Sequence, residues 1–338
     1  MRKIIVFMFI IGVAGSLWSV PTDIIYSEGE ASVRRAANGR VQDAEIGEVV
    51  NTGDTIKTGK DGLVELDQKG VILKVNRNTV FTLMERERAG AKTGVVNVVL
   101  GSVKMRYDKL TGQEPRVQTA SCSAGVRGTE LTVFAGADGS SLFAVDSGMV
   151  EVEAAGVMVE LAAGEGVEVK PGQPPGEKFK VRTDLMDYST WNDSKIEAMM
   201  ADPAAAIKAI QEQMTAYVKS VESFKAYFTE YSARLAEERQ KAADMVKEKG
   251  KEEAKKYEEE VVFPLTLQTS SLYLNKRFYA LAALSMRRYV AGRMYVLMKA
   301  RYMGRVEDPA FAAFMTGYDN LLAVYEEFIV PHLVAADI

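Results

Sequence analysis

The chain has one histidine and one cysteine in 338 residues, and each scarcity removes a class of function. A single cysteine cannot close an internal disulfide, so packing alone must hold the fold even in an oxidising compartment. His332 lies six residues from the C-terminus, just after Pro331, where a bland surface residue is expected. It can build neither a two-histidine metal site nor a conventional Ser-His-Asp pairing. Phosphate loops of the Walker or GxGxxG type are missing as well, because the glycine-rich turns precede strands, where a phosphate cradle precedes a helix. Net charge is also small. Residues 1–184 hold 22 basic and 24 acidic side chains and residues 185–338 hold 20 and 22, so any electrostatic function has to be local. These scarcities lead to the expectation of a non-enzymatic protein without cofactor or metal.

The N-terminus reads as an export signal. Arg2 and Lys3 form a short basic region, Ile4 to Val13 an apolar core, and Gly15, Ser16 and Ser19 a small-residue exit. The stretch is too short, and too soon followed by Pro21 and Asp23, for a comfortable membrane span. A signal peptide over residues 1–19, cleaved after Ser19, is expected, with an uncleaved anchor as the alternative. No cysteine lies near it to accept a lipid. The expected location is the periplasm or cell envelope.

Residues 24–170 are rich in Gly and Val and read as short alternating runs. Gly29–Val33, Gly62–Leu66, Gly101–Met105, Gly148–Val152 and Gly164–Val169 each place Gly at a turn and then apolar residues at every second position. Further runs of the same character are Val71–Val75, Val80–Met84, Val95–Leu100 and Glu130–Phe134. The spacing predicts an all-β domain, solenoid-like or sandwich. Residues 171–184 hold Pro and Gly and read as a linker.

From residue 185 to 338 Gly becomes rare and Ala, Met, Glu, Lys and Tyr take over, which predicts a separate all-α bundle or coiled coil. Asp202-Pro203 supplies an N-cap followed by Pro at the first helical position. Ile207, Ile210, Met214, Tyr217, Val221, Phe224, Phe228, Tyr231 and Leu235 then recur three and four apart, a heptad seam. Gly250 is a candidate cap or kink. A second long helix is expected from near Pro264 to Met303, and a third from Asp308-Pro309 to about Ile329. The fold class is therefore α+β in two parts, and the seam motivates an elongated shape or homo-oligomerisation.

An ordered series of motifs runs through the β-half: Gly29 to Val33, NTGDTIKTGKDGLVEL at Asn51 to Leu66, NRNT at Asn76 to Thr79, LGSV at Leu100 to Val103, VQTASCSAGVRGTELTV at Val117 to Val133, VDSGMVEV at Val145 to Val152 and LAAGEGVEV at Leu161 to Val169. Together they resemble the FecR domain, the periplasmic domain of bacterial iron-siderophore signal transducers. The resemblance implies a β-domain that acts as a binding or interaction module. FecR transducers carry a cytoplasmic anti-sigma segment and a transmembrane helix before that domain, and here the expected export signal stands at residue 1. The helical half lies outside the resemblance.

Candidate contact residues are few. Arg127 and Thr129, either side of Gly128, are the candidate ligand or partner contacts: Arg127 ties down loop carbonyls or else grips an anionic ligand or a partner carboxylate. Cys122 sits between two serines as a packing residue, with a reactive thiol as the alternative. Between Pro264 and Val306 there is no acidic residue, while Arg277, Arg287, Arg288 and Arg293 belong to a basic, tyrosine-rich stretch. Either that stretch packs against Glu237–Glu260, which holds nine carboxylates, or its basic face meets anionic lipid headgroups or an acidic wall polymer. The expected partners are an envelope protein or glycan, a second copy of the chain through the seam, and a membrane surface, with no nucleic acid. A periplasmic sensor or receptor component binding a small molecule or envelope glycan is the alternative to an interaction protein.

Overall fold

The structure is a computed structural model that describes residues 22–88, 91–107 and 116–333. The expected signal peptide, residues 1–19, lies outside the described residues, as does the side chain of Arg127. The order is as the composition implies: strands occupy residues 22–180 and helices residues 188–328.

Fifteen strands are described. Seven precede the first long one: β1 (Thr22–Glu28), β2 (Ala31–Arg34), β3 (Val41–Asp43), β4 (Val49–Val50), β5 (Thr55–Thr58), β6 (Leu63–Asp67) and β7 (Val71–Val75). Then come β8 (Val80–Arg88), β9 (Ala91–Tyr107), β10 (Arg116–Gln118), β11 (Ser123–Ala135), β12 (Ser141–Ala154), β13 (Val157–Ala162), β14 (Glu165–Val169) and β15 (Phe179–Lys180). Apart from the parallel β9–β10 pair, every pairing among them is antiparallel. The Gly-headed runs pair with intervening antiparallel strands, whereas coils of a parallel solenoid would stack directly on one another.

One long strand shows how the sheet turns on itself. The first half of β9 pairs with β8 and β10, and its second half pairs with β7 and β11. The exchange of neighbours falls at Gly101, whose φ of +102° only glycine adopts readily. Gly128 (φ +57°) marks the corresponding register shift in β11. Inside this folded sheet Val33, Ile56, Leu66, Leu73, Phe81, Val103, Leu131, Phe143 and Leu161 make a core with no exposure.

The helices are α1 (Tyr188–Ala201), α2 (Pro203–Glu248), α3 (Lys251–Tyr257), α4 (Phe263–Ser285), α5 (Gly292–Arg301) and α6 (Pro309–Phe328). The side chain of Asp202 accepts from Ala205 N at 3.0 Å and starts α2 next to Pro203, and Asp308 does the same for α6 through Ala310 N. Wide π-turns at Glu258–Val262 and Met286–Ala291 join α3, α4 and α5, so the second long helix runs further toward the N-terminus than Pro264. At ~1.5 Å per residue α2 is ~69 Å long.

Helices and sheet share one core. Residues 171–184, expected as a linker, contribute β15, which pairs with β14. Helix α1 then fastens this end: Lys195 bridges Glu168 at 2.6 Å, Trp191 Nε1 donates to the same carboxylate, and Tyr188 and Trp191 pack on Phe134. The outward residues Val80, Met84, Val95 and Val99 of β8 and β9 join Ile207, Ile210, Met214, Tyr217, Val221, Met286, Val290, Met294 and Phe314 in a single buried cluster. The first five seam positions are thus filled from within the chain. Further along, Leu235, Ala242, Val262 and Leu265, with Tyr231 and Tyr257 against them, form a separate small cluster between the limbs of a helical hairpin.

Candidate functional site at the junction of the two halves

The turn from Thr119 to Cys122 is where the β-half receives the long helix. Thr119 Oγ1, Ser121 Oγ and Ser141 Oγ form a buried hydroxyl cluster with 2.7 Å contacts from Ser141 to each of the other two. Thr119 Oγ1 also accepts from Cys122 N at 3.2 Å, which closes the turn. Its outward carbonyls are then met by α2: Tyr217 Oη donates to Ala120 O at 3.3 Å. A seam residue therefore does two jobs, filling the core with its ring and capping a turn that small residues make close enough to reach. Alongside, Arg86 of β8 donates to Tyr279 Oη at 3.0 Å, with its guanidinium 5.4 Å from the Phe278 and Tyr279 ring centroids.

Cys122 is packing. Burial pushes its thiol up to about 11, against the opposing pull of hydrogen bonds with Thr119, Ser121 and Ser141. Iodoacetamide at pH 8 should leave native Cys122 unmodified and alkylate it fully in denaturant, as read by intact mass. Rapid labelling of the native chain would contradict this burial. The thiol also fixes a sign for pH: between about 9 and about 11 the unfolded chain releases this proton and the folded chain keeps it, so stability falls as pH rises through that window.

A cleft of about 350 Å³ lies between the β2 end of the sheet and α4. The β-half supplies Arg34, Arg35, Gly39, Gly53, Thr55 and Thr82; the helical half supplies Tyr273, Lys276, Arg277, Leu281, Leu284, Ser285, Arg288 and Tyr289, with His332 and Leu333 from the chain end. Six of these residues are basic, counting His332, and none is acidic. Some of the charge is already spoken for. Arg35 is bridged to Glu48 and, at 2.7 Å, to the buried Asp54. Lys276 is buried, with its ammonium 4.8 Å from the Phe228 ring and 5.4 Å from that of Tyr273. His332 Nε2 lies 3.3 Å from Glu222 Oε1, and its side chain is only 8% exposed. Arg34 donates to the carbonyl of Gly39 at 3.2 Å, and Arg288 sits 6.0 Å from the Tyr289 ring. Among the described residues, Arg34, Arg277 and Arg288 have no carboxylate within salt-bridge distance.

The structure sorts the sequence-predicted residues. Arg277 and Arg288 line the cleft together. Arg287 turns the other way, 5.6 Å from the Tyr325 ring on α6, and Arg293 is exposed and outside the cleft. Thr129 is buried, with Oγ1 donating to Met149 O at 3.1 Å, a contact that ties β11 to β12. His332 is not the bland surface residue expected: its side chain is largely buried, and Glu222 of α2 is its carboxylate partner. The acidic Glu237–Glu260 segment packs against the start of α4 but forms no ion pair with the basic stretch among the described residues. It pairs along its own helices, Lys241 with Glu238, Lys247 with Asp244, Lys255 with Glu259 and Lys256 with Glu260. Sequence reasoning missed Arg34, because more than 240 positions separate it from Arg277. Among the described residues no group of His, Cys, Asp and Glu is arranged to hold a metal, and no helix is long and apolar enough to cross a membrane.

The strands that form one wall of this junction also carry the likeness to known proteins. Residues 54–151 match the family described as FecR protein. The FecR match begins at Asp54, which holds Arg35 beside the cleft, and includes the Thr119–Cys122 turn that receives Tyr217. Two crystal structures, at 1.65 and 2.50 Å, of a provisionally assigned anti-sigma factor from Parabacteroides distasonis ATCC 8503 are similar at 19% identity and a TM-score of 0.33, over 40% of this chain and 63% of that one. The alignment thus spans less than two thirds of that protein. No curated protein matches the chain. The helical half from α1 onward lies outside the FecR match.

Proposed function

We propose that this chain is an exported, non-enzymatic interaction protein of the bacterial cell envelope with a regulatory role, its FecR-like β-half recognising an envelope protein or glycan and its helical half docking a partner. The observation that carries this reading is the FecR match in a sheet that shares its outer core with the helices, so that an event at either part is felt by the other. The helical hairpin offers the plainest contact surface. Phe263 and Leu267, one turn apart on α4, are 60% and 53% exposed. Val157 and Met158, at the β12–β13 turn, are exposed on the β-half. Photo-crosslinking residues placed at these two sites in cells should trap a discrete envelope partner from at least one of them, and fractionation should find the protein outside the cytoplasm. A cytoplasmic protein, or sites that trap nothing, would sink the reading. A second reading, a sensor component for a small molecule, is favoured by one observation: the basic cleft is lined from both halves.

A further inference from the structure

We propose that the cleft between β2 and α4 binds a phosphoryl group, held by Arg34 from the β-half and by Arg277 and Arg288 from the helical half. The inference rests on the sensor reading and names its ligand class. It stands on what surrounds those three arginines. Every other cation at the cleft already has a carboxylate or an aromatic cage, as Arg35 has Asp54 and Glu48, His332 has Glu222, and Lys276 has Phe228 and Tyr273. Arg34, Arg277 and Arg288 have no carboxylate partner among the described residues. Like charges gathered beside low-dielectric walls repel one another, and an entering anion relieves that repulsion.

The number of guanidiniums selects the anion. A carboxylate has two oxygens and one charge, which a single bidentate arginine satisfies. A phosphoryl dianion has three terminal oxygens and near two charges, and can engage planar donors from several directions at once. The cleft volume of about 350 Å³ is at the small end of ligand sites, enough for the phosphoryl group and a compact substituent. Leu281 and Leu284 give that substituent an apolar floor. Because the arginines come from residue 34 and residues 277 and 288, the bound anion would cross-link the FecR-like sheet to the helices. That arrangement turns ligand binding into added stability of the junction.

The test is calorimetric titration of the purified chain with inorganic phosphate and with glucose 1-phosphate at constant ionic strength in chloride, together with flotation on vesicles of phosphatidylglycerol against phosphatidylcholine. Saturable binding of either soluble probe assigns a free phosphorylated ligand, and binding to phosphatidylglycerol vesicles alone assigns a lipid headgroup. In either case R277Q/R288Q should weaken binding about 10- to 100-fold and R34Q about 10-fold. R293Q, on the same basic stretch but outside the cleft, should change it by less than about 2-fold. R277K keeps the charge, loses the planar fork and should fall between wild type and R277Q, which separates recognition from a folding defect. The proposal is overturned if none of the probes binds, or if R293Q weakens binding as much as R277Q/R288Q. Failure here with partner crosslinks still present would leave the interaction reading standing.

Discussion

Met214→Asp should unfold the sheet and the helices together, in one transition. Met214 has no exposure and lies in the cluster that holds Val95 and Val99 from β9 and Met286, Met294 and Phe314 from the helices. Aspartate there loses the methionine's packing and buries a charge with no partner, at a cost of about 3–5 kcal/mol or more. That is a large share of the roughly 5–15 kcal/mol that separates folded from unfolded domains. Leu235→Asp is the contrast. Leu235 sits in the hairpin's own cluster with Ala242, Val262 and Leu265. Its replacement should lower helical ellipticity while leaving the sheet signal and the fluorescence of Trp191, which sits at the junction, near wild type. Intact sheet signal in Met214→Asp, at a temperature where the helices have melted, would show that the halves fold independently.

The second large effect is expected at the bend of β9. A Cβ on Gly101 would stand 2.3 Å from Thr79 Oγ1 and 2.4 Å from Thr79 Cα, and the backbone φ there is +102°. Thr79 cannot move aside, because its Oγ1 accepts from Ser102 N at 3.0 Å and the residue stitches β8 to the bend. Gly101→Ala therefore adds a clash with backbone to an unfavourable conformation, together about 3–5 kcal/mol. Gly70→Ala is the control, with a similar φ of +89° and nothing within 4 Å of the added methyl. It should cost only the conformational strain, about 1–2 kcal/mol. Urea denaturation of the two variants measures the difference, and equal losses would remove the close approach as the reason for glycine at residue 101.

Much of the architecture was legible because local chemistry and burial agree. Asp202-Pro203 and Asp308-Pro309 start helices where capping chemistry says they should, and the spacing from Ile207 to Leu235 picks out a buried stripe of α2. The stripe could not say what covers it. A heptad pattern is equally satisfied by a second chain, by α4 or by the back of a sheet, and here the sheet and the neighbouring helices fill its first five positions. One local signal of that did exist. In the run Val95 to Leu100, both alternating faces are apolar apart from Asn97, which is what a strand covered on both sides requires. Val96 and Val98 point into the sheet's own core and Val95 and Val99 into the helices.

The candidate site was legible only in part, for a related reason. Arg277 and Arg288 stood out by the missing acidic residues around them, but Arg34 has ordinary sequence neighbours and joins them only through the fold. The choice between neutralised and free was also open in the sequence, since Glu237–Glu260 carries enough carboxylates to balance the basic helix. Four of those nine carboxylates pair instead with lysines three or four residues away, because such pairs form within the helix. Tyr217 shows the same limit. As a seam position it reads as core, and nothing local reveals that its hydroxyl reaches the turn 97 residues earlier.

That contact and the shared core make the FecR-like sheet and the helices one cooperative body, which is the claim on which the coupling of the cleft to both halves depends. Hydrogen exchange of the wild-type chain, resolved by mass spectrometry, tests it most directly. Amides of β9 and β11 and those of α2 between Ile207 and Val221 should open with the same free energy, and the hairpin beyond Leu235 should open earlier. Sheet amides that remain protected while Ile207–Val221 exchanges freely would contradict the account.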